Sequence, residues 1–403
     1  MNMENAVEIV EQADRVIAAT YKRLPVVLIR GDGCTVWDVE GKAYTDFIAG
    51  IAVCNLGHAH PAVADAVAEQ AHRLVHVSNL FYTVPQVEVA RMLVDHSFAD
   101  RVFFCNSGAE ANEAAIKLAR KYFYDRGQPQ RFRIVAMEQS FHGRTLGTLS
   151  ATGQEKIRKG YDPVLEGFAF VPFGDLEALA RAVGPHTGAV LLEPIQGEGG
   201  VRCPAPEYLQ GVRKLCDETG TLLIFDEIQT GMGRTGTLFA YQGFGVDPDI
   251  MTLAKALANG LPIGAMLARE SVAAAFDVGA HASTFGGTPL VTAACREVLC
   301  LLLHGDLLEH CRRMGDYFQE KLRSLQTRHA VIRSVRGRGL LLGLELEIEG
   351  QPLVHACLEQ GFLINCIQDN VLRFAPPLIV TEHPIDALAD CLDGLLTALA
   401  HSS

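Results

Sequence analysis

The chain has 403 residues, 49% of them hydrophobic, enough to bury a large core and to form two or three domains or one large domain with an appendage. Its formal charge of −12, from 35 basic and 47 acidic side chains, argues against nucleic acid as a partner, because binding a phosphate backbone needs clustered cations. The longest purely apolar run, Val298–Leu303, falls far short of the roughly 20 residues that span a bilayer and is flanked by Glu297 and His304, so no membrane segment is expected.

The first residues, MNMENAVEIVEQADR, are acidic where a secretory or mitochondrial leader is basic, which points to a mature N-terminus and a cytoplasmic protein. Apolar spacing predicts a helix from about Asn5 to Thr20, then a hairpin of Thr35–Asp38 and Tyr44–Phe47 around Glu40–Gly41. His58 and His60 form an HxH pair without an acid or thiol close by in sequence, so a structural role is expected and no metal. Strands are predicted at Arg101–Cys105, Phe132–Met137, Phe168–Pro172, Ala189–Glu193, Leu222–Asp226, Ile250–Leu253 and Ile263–Ala268. Helical patterns lie between them, such as Glu110–Tyr124, ended by Gly127, and Pro206–Glu218, ended by Gly220. This alternation implies βαβ units and a mainly parallel sheet, so residues 65–290 read as one α/β domain. Beyond it come helices at Pro289–His304 and Asp306–Gln326, strand-like runs at Val331–Arg336, Leu340–Leu346 and Leu372–Phe374, and a last helix to Ala400. Residues 1–64 and 291–403 are expected to combine into a smaller α+β domain. The eleven cysteines show no CxxC spacing and are read as reduced, mostly buried thiols.

Four positions in the large domain carry chemistry. Asp226 ends the apolar strand of TLLIFDEIQTG; an isolated acid there, or Glu227 beside it, would do no more than cap a loop. Lys255 follows a second apolar run in DIMTLAKALANGLPIGA, where desolvation lowers an amine's pKa toward the neutral nucleophile. In FFCNSGAEANEAAIKLAR a strand runs through Ser107, Gly108 and Ala109 into a strong helix former. That is an anion site by its free amides and dipole, and equally a serine N-cap with Glu110 completing a capping box. Phe141, on the loop of EQSFHGRTLG, is able to stack on a flat ring. Amine, acid, anion site and aromatic wall are together what pyridoxal phosphate demands of a protein: a Schiff-base lysine, a partner for the pyridine nitrogen, a phosphate cradle and a ring contact. The run GMGRTG, with Gly231, Gly233 and Gly236, matches a dinucleotide fingerprint after a strand. It opens no helix and lacks the acid about 20 residues on, so a nicotinamide enzyme is not indicated.

Read in order, DFIAGIAVCNLGHAHP, NSGAEANEAA, FHGRTLG, LEPIQGEGGV, LLIFDEIQTGMGRTG, PDIMTLAKALANGLPIGA, STFGGTPL and LRFAPPL resemble the motifs of class III aminotransferases of the ornithine and acetylornithine type, across nearly the whole chain. The resemblance implies the pyridoxal-phosphate fold type I. Lys255 would hold the cofactor, Asp226 its ring nitrogen and Gln229 its ring hydroxyl. Gly108 and Ala109, beside Ser107, would offer amides to the phosphate, Phe141 would stack on the ring, and Thr284 would reach the phosphate of a neighbouring subunit. A homodimer with shared active sites follows from that last role.

The same resemblance gives substrate carboxylates to Arg144 and Arg373, a geometry suited to the guanidinium fork. Glu198 would mask Arg373 until 2-oxoglutarate binds, and Ser283 would touch the amino acid. The reaction implied is ping-pong transfer of a terminal amine to 2-oxoglutarate. IAVCNLGHAHP and LANGLPIGA resemble most the members of arginine biosynthesis acting on N-acetylornithine. Members acting on succinylornithine, succinyldiaminopimelate, ornithine or 4-aminobutyrate share the catalytic set, and a pyridoxal-phosphate-binding homologue without turnover is the reading from another class. Two positions depart from the family pattern: Ala109, where many members have Thr, and Thr288, where Asn is commoner.

Overall fold

The computed structural model of the protein describes residues 5–402. Its largest sheet has seven strands in the order Arg101–Cys105, Gly264–Ala268, Ile250–Leu253, Leu222–Asp226, Thr187–Leu192, Arg133–Met137 and Phe168–Val171. The strands from Ile250–Leu253 to Phe168–Val171 run parallel, and Gly264–Ala268 runs against both of its neighbours. The sheet is therefore mainly parallel, as the alternation predicts. LLIFD and IMTL are buried along their whole length, which is why they read as continuous apolar runs and not as alternation. Ile224 packs with Ala115 and Leu118 of the helix Gly108–Asp125 on one face. Phe225 joins Leu209 and Val212 of the helix Pro206–Thr219 on the other. The layers thus fix the strand ends from both sides.

Two smaller sheets come from the flanks of the chain. One, of Leu28–Asp32, Thr35–Asp38, Ala43–Asp46 and Phe362–Leu363, joins an N-terminal hairpin to a C-terminal strand that pairs in parallel with Thr45 and Asp46. The other is antiparallel, in the order Ile332–Arg338, Leu341–Leu346, Val371–Phe374, Asn365–Ile367. No helix among the described residues is long and apolar enough to cross a membrane.

Several boundaries differ from the sequence expectation, each for a local reason. The second hairpin strand is Ala43–Asp46, not Tyr44–Phe47, because the Asp46 carboxylate accepts from the Ile48 and Ala49 amides and turns the chain there. The first helix stops at Val16, short of Thr20; none of its residues is buried, so no packing extends it. The helix expected from Glu110 starts at Gly108, where the Ser107 hydroxyl accepts from the Glu110 amide. Helices Pro61–Arg73 and Val84–Asp95, and the strand Leu28–Asp32, were not expected at all. The GMGRTG run is a loop, although a short helix, Ala240–Phe244, begins soon after it. Glu227 caps that helix by accepting from the Ala240 and Tyr241 amides. His58 pairs with Asp46 at 2.7 Å, which gives this histidine a structural partner that sequence proximity had hidden.

The GMGRTG loop owes its position to Arg234, which is wholly buried. Its guanidinium donates to the Leu340 and Pro376 carbonyls at 2.9 and 2.5 Å and to the Asn55 side chain, tying three distant segments together. Burial pushes its pKa down to about 10. Arg234→Met keeps most of the volume and leaves these buried acceptors without a donor. It is expected to cost about 3 kcal/mol or more, read as a lowered urea midpoint.

Candidate active site

Most of the chemistry-bearing residues sit at the carboxyl ends of the large sheet's parallel strands, the edge at which open α/β sheets bind ligands. Ser107 follows Arg101–Cys105, Phe141 and His142 follow Arg133–Met137, and Glu193 follows Thr187–Leu192. Asp226 ends its strand, and Lys255 lies just past Ile250–Leu253. Their side chains converge on a cavity of about 400 Å³ that is also lined by Gly108, Ala109, Arg144, Glu198 and Gln229.

Lys255 is half-buried and starts a short 3-10 turn in the left-handed region, at φ 47°. A non-glycine residue held there costs on the order of 1–3 kcal/mol, a strain that accumulates at functional sites. Burial lowers its pKa below the ordinary 10.5, against the opposing charge of Glu198.

Asp226 is held on three sides. Oδ1 accepts from the Ile228 amide at 3.0 Å; Oδ2 accepts from Asn112 Nδ2 at 2.8 Å and from His142 Nδ1 at 2.7 Å. Asn112 is itself fixed, donating to the His142 carbonyl and accepting from Thr252 Oγ1, each at 2.8 Å. Buried polar groups this fully paired hold one geometry.

On the far wall, Arg373 is 2% exposed and donates from Nη1 to Glu198 Oε1 at 2.5 Å and to Gln229 Oε1 at 3.3 Å. Burial works to raise the Glu198 pKa, but the Arg373 charge beside it prevails and holds the carboxyl below the usual range. Arg144 stands exposed on the loop after Phe141, its guanidinium 5.6 Å from the phenyl centroid.

Two predicted residues lie elsewhere. Ser283 accepts from Asn106 Nδ2 at 3.2 Å, and with exposed Thr284 it faces a separate groove lined by Asn79, Leu80 and Tyr82. Thr288 has a structural contact of its own, its hydroxyl donating to the Val75 carbonyl at 2.5 Å. Sequence reading passed over Asn112, His142, Thr252 and Glu193. A lone asparagine among Ala111, Ala114 and Ala115 on a helix face packed against the sheet was the signal available for the first of them.

The chemistry of the donor set can be tested against a cofactor. A desolvated amine with depressed basicity suits an aldehyde, and the fixed carboxylate of Asp226 suits a protonated ring nitrogen. The amides that open the helix Gly108–Asp125 suit a phosphate, and glycine fits closely at its start, because a Cβ on Gly108 would lie 2.7 Å from Ile228 Cδ1 and force that side chain to shift. Fold and cavity together define a pyridoxal-phosphate enzyme of fold type I.

The chain belongs to the class-III aminotransferases, whose family model matches residues 16–396. It is 52% identical over 381 residues to an acetylornithine aminotransferase of Caldanaerobacter subterraneus subsp. tengcongensis, covering 94% of this chain and 97% of that one. It is 50% identical over 382 residues to one of Methanocaldococcus jannaschii, covering 94% and 95%. Among solved structures, the ornithine aminotransferase of Toxoplasma gondii ME49 superposes with a TM-score of 0.96 at 34% identity, covering 100% of this chain and 97% of that one. The acetylornithine aminotransferase of Elizabethkingia anophelis gives 0.88 at 33%, covering 98% and 99%. The protein is thus a pyridoxal-phosphate-dependent transaminase.

Proposed function

We propose that the chain transfers the terminal amine of N-acetylornithine to 2-oxoglutarate, giving N-acetylglutamate 5-semialdehyde and glutamate, a step of arginine biosynthesis. The observation that carries this reading is the pair of buried Arg373 with half-buried Glu198 beside Lys255, supported by the identity of about half to curated acetylornithine aminotransferases. When bound, pyridoxal phosphate supplies a conjugated ring that takes up the electron pair left on the substrate carbon as a proton departs. Ser107, Gly108 and Ala109 would hold its phosphate, Phe141 would cover its ring, Gln229 would approach its hydroxyl and Asp226 would keep its nitrogen protonated. Lys255 Nζ takes the proton from the carbon that carries the donor amine and delivers it across the site. Arg144 receives the donor carboxylate. Arg373 stays neutralised by Glu198 while the donor reacts, and is released to the second carboxylate of 2-oxoglutarate.

We further infer a cytoplasmic homodimer in which Thr284, and Ser283 beside it, complete the site of the neighbouring subunit. Exposed Leu80, Phe81, Tyr82 and Phe285 near them support such an interface. Residues 65–290 form the large domain in this reading, and 1–64 with 291–403 the small one.

Single-turnover mixing of the holoenzyme with a panel of amines tests the assignment. N-Acetylornithine is expected to bleach the visible band of the bound cofactor about 10-fold or more faster than ornithine or 4-aminobutyrate. Equal or faster bleaching by either of these, or by succinylornithine or succinyldiaminopimelate, reassigns the donor.

A further inference from the structure

Glu193 lies in the same cavity and has no part in the mechanism above. It is 5% exposed, and both of its oxygens are engaged: Oε1 accepts from the Phe141 amide and Oε2 from the Gly197 amide, each at 3.0 Å. The first amide belongs to the aromatic wall of the cavity. The second belongs to the turn that carries Glu198. That turn is closely packed: a Cβ on Gly197 would fall 2.1 Å from Gln229 Oε1, the end of a side chain, and one on Gly199 would fall 2.8 Å from the Gln139 carbonyl. A shift at Gly197 is therefore felt at once by Gln229 and by the Glu198–Arg373 pair bonded to it.

We propose that Glu193 is a positioning residue of the transamination site, an ionised clamp that holds the Phe141 wall and the Glu198 turn at a fixed separation and lets go of one of them when it is protonated. The proposal rests on the reading of this cavity as the transaminase site. Among side chains of this length, a carboxylate alone offers acceptors on both arms; a carboxamide or a carboxylic acid turns a donor toward one of the two N–H groups.

The charged and titratable groups facing it are His142, on the loop after Arg133–Met137, Asp226, at the end of Leu222–Asp226, and Lys255, past Ile250–Leu253. Burial, assisted by Asp226 and opposed by His142 and the two amides, pushes the Glu193 pKa up to about 7, so the clamp would open within the physiological range. Glu227 makes the contrast. Its pKa is also pushed up to about 7 by burial, but its oxygens cap the helix Ala240–Phe244 and it does not line the cavity.

The test compares wild-type holoenzyme with Glu193→Gln and Glu193→Asp, following each half-reaction against pH and, separately, amide exchange at Phe141 and Gly197, corrected for intrinsic rates. Wild-type kcat is expected to fall as pH drops through about 7, with exchange at both amides rising in parallel. E193Q should lose about 10- to 100-fold in kcat above that pH, with KM changed by less than about 3-fold, a flattened acid limb and fast exchange at all pH values. E193D, which keeps the charge on a shorter arm, should regain part of the pH dependence. The proposal is overturned if E193Q keeps the wild-type profile, or if kcat falls while exchange at the two amides stays slow. Should E193Q not fold, the pH dependence of exchange in the wild type decides alone: protection that does not change through pH 7 sinks the clamp. A wild type that transfers no amine would overturn the transaminase reading itself, and the exchange measurement would still judge the clamp.

Discussion

Lys255→Ala is expected to give a folded protein that shows no visible cofactor band, fixes no cofactor on borohydride treatment and loses about 10⁴-fold or more in turnover. Two losses combine. In the proposed mechanism the amine is the covalent anchor and also the proton carrier, a role worth about 10²–10⁴-fold by itself. A variant that keeps measurable turnover within about 10-fold of wild type would remove Lys255 from the chemistry.

The same substitution has a predicted effect on the apoprotein's stability, with a definite sign. Burial lowers the Lys255 pKa in the folded state below the 10.5 of the free side chain, so between those two values the unfolded chain binds the extra proton. Stability contributed by this group rises with pH across that window and is lowest on the acid side. The alanine variant lacks the penalty. Its apoprotein should melt higher than wild-type apoprotein at neutral pH, and the gap should close as pH approaches 10.5. An equal gap at every pH would mean that a change in packing, not relief of a desolvated charge, sets the difference, since alanine keeps a Cβ at the same left-handed φ.

Lys255 and Asp226 were legible because each is a charged residue at or just past the end of a strongly apolar run, and in a doubly covered parallel sheet such places are strand ends. What fixes Asp226 was not legible. Asn112 lies 114 residues away in sequence and His142 lies 84 away, so no local pattern links them. Glu193 escaped for a mixed reason: Gly197 is four residues on, but the Phe141 amide that gives the carboxylate its second bond is 52 residues back. Arg373 and Glu198, 175 residues apart, were brought together by family resemblance and by no property of spacing. The helix Pro61–Arg73 is a different kind of miss. Pro61 in its first turn is a start signal that was present and unread. Thr284 has its proposed partner on another chain, which no reading of one chain's geometry supplies.

Removing the charge of Glu198 tests the gate most directly. In Glu198→Gln, the Arg373 guanidinium keeps a neutral acceptor and loses its counter-ion while remaining buried, so it becomes an open site for any carboxylate that enters. N-Acetylornithine carries such a carboxylate. With Arg373 unmasked, the donor can bind by that group and leave its terminal amine away from Lys255, and the donor half-reaction is expected to fall about 10- to 100-fold. In the proposed scheme glutamate needs Arg373 free in the return half-reaction, so its rate should hold within about 3-fold or rise. The discriminating quantity is the ratio of the two half-reaction rates, measured separately by single turnover, because a general loosening of the site would lower both together. A ratio that moves by 10-fold or more toward glutamate supports a gate; an unchanged ratio would make Glu198 no more than the structural counter-ion of a buried arginine. Glu198→Asp, which restores the charge at a shorter reach, should bring the ratio part of the way back, since the pair acts through neutralisation first and through geometry second.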